Sequence, residues 1–223
     1  MRAKIVLAFI LLCASGVASS KSGTVPPQLP LHFEADLEIK SHLLDAKVKY
    51  PPSLRKMKIR YDFTQGLARA DILAGYDNGK SYIRRYDTKK EYKVKYGQYK
   101  SCERAYLGED MPVPEFPKDF LYQRNERILG QDCELWTHNI PQSDLRIHVY
   151  ESKAFNVPIR LTQESRDEEG NWVKQITYDF LNMKVQPQDL SSFDIPGGYS
   201  HETCTRNVMG FPYIHAFDYY LRF

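Results

Sequence analysis

Cys133 and His138 lie five residues apart in the stretch ILGQDCELWTH, residues 128–138. A thiol beside an imidazole is the pair that papain-type catalysis uses. That chemistry needs a thiolate at a helix N-terminus, a base brought in from a distant segment and an Asn or Asp to orient it. Here the stretch alternates instead: Cys133, Leu135 and Thr137 share one side, and Glu134, Trp136 and His138 the other. Successive side chains of a strand point to opposite faces. The thiol and the imidazole are therefore kept apart, and Cys133 reads as a buried structural cysteine.

The remaining histidines, His32, His42, His148, His201 and His215, show no H-x-H or H-E-x-x-H spacing. His201 stands three residues before Cys204, which gives two of the four ligands that zinc takes and no second pair. The acidic turn at residues 166–170 (RDEEG) lacks the alternating oxygen ligands of a calcium loop. No G-x-S-x-G, G-x-x-x-x-G-K or G-x-G-x-x-G occurs. The expectation is a protein that is not an enzyme, with no metal site and no cofactor.

The elements that would position any site are strands. LHFEADLEIK (residues 31–40) alternates throughout, with Leu31, Phe33, Ala35, Leu37 and Ile39 on one side. KMKIRYDF repeats the pattern through Met57, Ile59, Tyr61 and Phe63, and GLARADIL through Ala68, Ala70 and Ile72. After the turn at Asp77-Asn78-Gly79, a tyrosine-rich stretch carries Tyr82, Tyr86, Tyr92 and Val94 around a hairpin turn at residues 87–90. DLRIHVYES, VPIRLTQES and NWVKQITYDFLNMKV continue the series. Helical period is confined to a turn or two near EFPKDFL and PQDLSSFDI. The fold class is mainly β, or β-rich α+β: about seven to nine strands, no βαβ spacing, one or two short helices.

Residues 1–20 read as a secretory signal peptide, with Arg2 and Lys4, an apolar run from Ile5 to Cys13 and small residues thereafter. The run is too short to span a bilayer, and no transmembrane segment is expected. Removing it would lower the formal charge from +3 to +1, with acidic and basic residues interspersed and no basic stripe for nucleic acid. Residues 21–30 then form a linker, 31–206 one β domain and 207–223 an aromatic tail. Cys102, Cys133 and Cys204 remain, which allows one disulfide plus a free thiol, or an intermolecular bridge; Cys102–Cys204 is the favoured pair. No Asn-x-Ser/Thr sequon is present.

The inward aromatics permit two architectures: a packed core, or a curved sheet around an apolar cavity, since barrels of roughly eight strands hold one small ligand. In the second case the pocket candidates are Phe63, Tyr82, Tyr86, Tyr92, Trp136, Trp172 and Phe180.

YDNGKSYIRRYD, SCERAYL, ERILGQDCELWTH, VPIRLTQES and DLSSFDIPGGYSHETC, taken in order, resemble the non-catalytic N-terminal region of two-chain cathepsin-like cysteine proteases and of counting-factor-associated proteins. That region is in turn similar to ependymin and LolA-type half-barrels. The matches rest on Gly130 and Trp136, on Val157-Pro158-Ile159, and on Phe193, Ile195, Pro196 and Cys204, within residues 57–204. The resemblance implies a curved antiparallel half-barrel that binds a lipid or acyl chain, and it supports the Cys102–Cys204 bridge. It also implies a secreted or endolysosomal location and, as an alternative function, an accessory module beside a papain-like protease chain. The C-G-S-C-W stretch of the catalytic domain is absent from these 223 residues.

Overall fold

The computed structural model describes residues 25–42 and 53–211; the expected signal peptide and the tail beyond residue 211 lie outside them. The fold is mainly β: one large, open, curved sheet of twelve strands. The strands are β1 (His32–Ser41), β2 (Ser53–Asp62), β3 (Leu67–Ala74), β4 (Lys80–Arg85), β5 (Lys90–Lys95), β6 (Ser101–Tyr106), β7 (Leu121–Ile128), β8 (Gln131–Ile140), β9 (Leu145–Ser152), β10 (Val157–Arg166), β11 (Trp172–Val185) and β12 (Thr205–Arg206). Their spatial order is β12-β6-β5-β4-β3-β2-β1-β11-β10-β9-β8-β7. Two meanders, β1–β6 and β7–β11, therefore meet where β1 pairs with β11. Every pairing is antiparallel except β12 on β6, which makes the sheet mixed where a purely antiparallel one was expected.

The alternation of β1 and β2 sets up the inner face. Phe33, Ala35 and Leu37 pair across with Tyr61, Ile59 and Met57, and all six are buried. The face continues through Ala68, Ala70 and Ile72 of β3 on one side and through Phe180, Tyr178, Leu161, Val149 and Trp136 on the other. The opposite, outer face of β1 is a charged lattice. Glu34 meets Lys58 at 3.2 Å and Lys184 at 3.0 Å, and Glu38 meets Lys56 at 3.0 Å. Such exposed pairs add little stability individually, but they explain why the charges of β1 alternate with its apolar residues. Gly75 closes the turn after β3 at φ 86°; a Cβ there would stand 2.7 Å from the Leu54 carbonyl oxygen, so only glycine fits.

Because β6 and β7 lie at opposite ends of the strand order, the connection 107–120 must cross the sheet. It crosses the inner face, where Leu107, Phe116 and Phe120 join the main core. The one or two helical turns expected at EFPKDFL reduce to a single hydrogen-bonded turn, the Phe120 amide on the Pro117 carbonyl at 3.2 Å, in a strap where Pro112, Pro114 and Pro117 lack the amide donors a helix would need. The strap is tied down by the Leu29 amide, which donates to the Pro114 carbonyl at 3.0 Å, and by the Leu107 amide, which donates to Lys89 at 3.0 Å. The other helical candidate, PQDLSSFDI, does form one short 3-10 turn, Leu190–Phe193, capped by Asp189 accepting from the Ser191 amide.

A second, smaller core lies on the outer face. Phe193 and the Cys102–Cys204 disulfide pack there against Leu67, Ile83, Tyr92 and Val94. The bridge joins residues 102 positions apart, β6 to the end of the chain's described part.

Candidate functional site

The inner face gathers five of the seven aromatic candidates. Tyr82, Tyr86, Trp136 and Phe180 are buried members of the main cluster, and Phe63 packs at its margin, stacked on Tyr61 at 5.4 Å. The strap joins the same cluster: Phe120 stands 5.5 Å from Phe116 and 5.2 Å from the His138 ring, centroid to centroid. Beneath the start of the strap sits a buried ion cluster. Arg84 reaches Glu91 at 3.3 Å and Glu109 of the strap at 3.5 Å. Burial pushes the Glu91 carboxyl above its ordinary range, against the pull of the Phe211 amide and Arg84. Phe211, the last described residue of the tail, lies edge-on to Tyr82 at 6.2 Å.

The other two candidates lie on the outer face. Tyr92 belongs to the disulfide-side core, its hydroxyl 3.0 Å from His201 Nδ1. The four-residue turn between β4 and β5 is the cause: it pairs Tyr82 with Lys93 and Arg84 with Glu91, so odd-numbered residues of β5 share a face with even-numbered ones of β4. Trp172 is clamped between Arg146 and Arg166 at 4.4 and 5.0 Å. A bulge places one extra residue between Ile176 and Lys174, which moves the start of β11 to the other face.

An apolar cleft of about 490 Å³ opens where the main core meets a third cluster of Ile128, Cys133, Val157 and Ile159. Its walls are Phe155, Val157, Ile159, Phe180, Met183 and Val185, with Gln131 and Asn182 supplying the polar atoms. Two irregularities make the space. The β10–β9 register slips between Pro158 and Arg160, and the β1–β11 register slips between Glu34 and Asp36. At the second, Asn182 takes φ 51° and its amide donates to Asp36 at 2.9 Å. Phe155, 69% exposed, and Val185, 59% exposed, form an apolar rim. Of these residues Phe180 is a pocket candidate from the sequence, and Val157 and Ile159 belong to the Val-Pro-Ile motif. Phe155, Met183 and Val185 carry no alternation signal of their own.

Nothing in this region supports thiol catalysis. Cys133 is fully buried, its Sγ 3.4 Å from the Gln131 carbonyl, and burial pushes the thiol up, away from the thiolate. His138 is on the opposite face against Phe120. Cys204 is bound in the disulfide and is unavailable as a partner for His201. Among the described residues no group of three His, Cys, Asp or Glu side chains could hold a metal ion, and no helix is long and apolar enough to cross a membrane.

No family model matches this chain, and no curated protein matches it. The expected kinship with the cathepsin-associated region therefore has no support from sequence comparison. Solved structures do match. An uncharacterized conserved protein from Thermus thermophilus superposes with a TM-score of 0.52 at 12% identity, over 80% of this chain and 92% of its own. That match shows the fold. The complex of MucA and MucB from Pseudomonas aeruginosa aligns at a TM-score of 0.47 and 11% identity, over 74% of this chain and 56% of that one. A domain described as an outer membrane lipoprotein-sorting protein, from Vibrio parahaemolyticus, aligns at 0.34 and 11%, over 73% and 89%.

Proposed function

We propose that this chain is a non-enzymatic, extracytoplasmic half-barrel that binds a lipid or another apolar small molecule, such as an acyl chain, in the 490 Å³ cleft bounded by Phe180 and the irregular stretches of β10 and β11. The observation that carries the reading is the cleft itself. Ligand sites are concave, mostly apolar, of about 300–1,000 Å³, with a few polar groups for orientation. This one has six apolar walls, two amide side chains and an exposed apolar rim. Leu107, Phe116 and Phe120 of the strap pack in the same cluster as Trp136 and Tyr86, so the proposed entry is at the exposed rim. The disulfide suits an oxidising compartment, in keeping with export to the outside of the cell.

Titration with cis-parinaric acid, a fluorescent fatty acid, tests the proposal. Saturable binding is expected, and Phe155→Asp or Val185→Asp should each weaken it about tenfold, the loss of one buried apolar contact. Both residues are exposed, so the fold should be untouched. Absence of saturation, or equal binding by both variants, refutes the assignment.

A further inference from the structure

The outer face of the second meander carries a polar hollow that the apolar cleft does not involve. Across β8, β9 and β10 the ladder sets Thr137 opposite His148, and Asn139 opposite Arg146, which is opposite Glu164. Thr137 Oγ1 lies 2.8 Å from His148 Nδ1, and His148 Nε2 lies 3.1 Å from Glu164 Oε2. Arg146 Nε donates to the same Glu164 oxygen at 2.9 Å. Burial holds the imidazole below its usual range despite the pull of Glu164, so the ring is neutral at pH 7. A neutral ring donates from one nitrogen and accepts at the other. The Thr137 hydroxyl then donates to Nδ1, and Nε2–H donates to Glu164.

This network fixes Glu164 through one oxygen and leaves Oε1 with its acceptor sites. Asn139, whose side chain makes no hydrogen bond among the described residues, borders both this hollow of about 290 Å³ and an adjoining one of about 360 Å³. Arg146 is shared by both as well, its guanidinium carbon over the Trp172 ring at 4.4 Å from the centroid. Each guanidinium already has its own carboxylate: Arg146 has Glu164, Arg124 has Glu126 at 3.0 Å, and Arg166 has Asp144 at 3.8 Å. An anion entering here would meet the carboxylates of Glu164 and Asp144 as well as the arginines. What remains without a partner is the Asn139 amide and Glu164 Oε1, planar edges that take two hydrogen bonds at once, with the apolar surfaces of Leu145 and Pro141 in the adjoining hollow.

We infer that this pair of hollows binds a neutral carbohydrate, with vicinal hydroxyls of a pyranose on Glu164 and Asn139 and a second sugar residue in the adjoining hollow. Each hydroxyl supplies one donor and accepts in turn, which matches mixed planar partners better than a phosphate or a sulfate would.

The test is saturation-transfer NMR on the full chain with methyl glucoside, galactoside, mannoside and N-acetylglucosaminide, and with inorganic phosphate as competitor. At least one pyranoside should saturate with a dissociation constant on the order of millimolar. Asn139→Ala and Glu164→Gln should each weaken it about tenfold. Asn139 is exposed, so its variant keeps the thermal midpoint and isolates recognition from folding. Phe155→Asp, in the apolar cleft, should leave sugar binding intact, which separates this site from the proposed lipid site. The inference is overturned if no pyranoside saturates on folded protein, if both variants bind as the wild type does, or if phosphate displaces the sugar.

Discussion

Phe120→Ala decides whether residues 107–120 are a layer of the core or a lid. Phe120 is 2% exposed and packs on Phe116 and His138. If the strap is locked, truncation removes a buried aromatic and leaves a cavity, at a cost of about 3–5 kcal/mol. If the strap opens on its own, the cost cannot exceed its local opening energy, because the chain would release the strap sooner than tolerate the cavity. The structure favours the locked state: three buried apolar side chains, two backbone ties and the Arg84–Glu109 contact all act on one short segment. The expected loss is thus about 3 kcal/mol, near the lower end, since the ring lies at the margin where His138 is part-exposed. Urea unfolding followed through Trp136, a neighbour in the same cluster, gives the global value. Hydrogen exchange of the Leu29 amide, bonded to Pro114, gives the local one. A loss under about 1 kcal/mol, with Leu29 exchanging far faster than the global limit, would show a lid.

Two further outcomes follow from the same structure. Replacing Cys102 and Cys204 together by Ala should cost about 2–5 kcal/mol in urea unfolding, since a closed loop of 102 residues restricts the unfolded chain by nearly 5 kcal/mol in the entropy model; a loss under about 1 kcal/mol would mean that the second core holds without it. Burial raises the Asp71 carboxyl, but the Ser81 hydroxyl and the Arg69 and Arg60 guanidinia outweigh it and hold the group below its ordinary range. A depressed folded pKa contributes stability that is present above the ordinary carboxylate range, about pH 4, and is lost as pH falls through the lower folded value. Thermal midpoints of wild type and Asp71→Asn should therefore differ by the equivalent of about 1–3 kcal/mol at pH 7 and converge in acid; a gap that is constant down to pH 2 contradicts this.

Alternation within a strand was legible from the sequence wherever one face is wet and the other dry. β1, β2, β3 and β8 keep the alternation along their lengths, Leu31 before β1 being the exception at 56% exposed: Trp136 and Cys133 lie on opposite faces, as their positions in the stretch require. β7 gives no signal because it is an edge strand, exposed along nearly its whole length, with polar residues on both faces from 123 to 127. What alternation cannot supply is the relation between strands. Tyr92 and Tyr82 are both pocket candidates from one tyrosine-rich stretch, yet the length of one turn puts them on opposite sides of the sheet. Trp172 and Phe180 belong to a single strand, and one extra residue at a bulge puts them on opposite faces. The same physics created the cleft. Its walls come from the two places where register slips, and at one of these the conformation of Asn182 is matched by a contact to Asp36, 146 positions earlier in the chain. A bulge depends on the partner strand as much as on its own residues. A cavity built from two of them leaves regular alternation on either side and becomes readable only when each strand's neighbour is known.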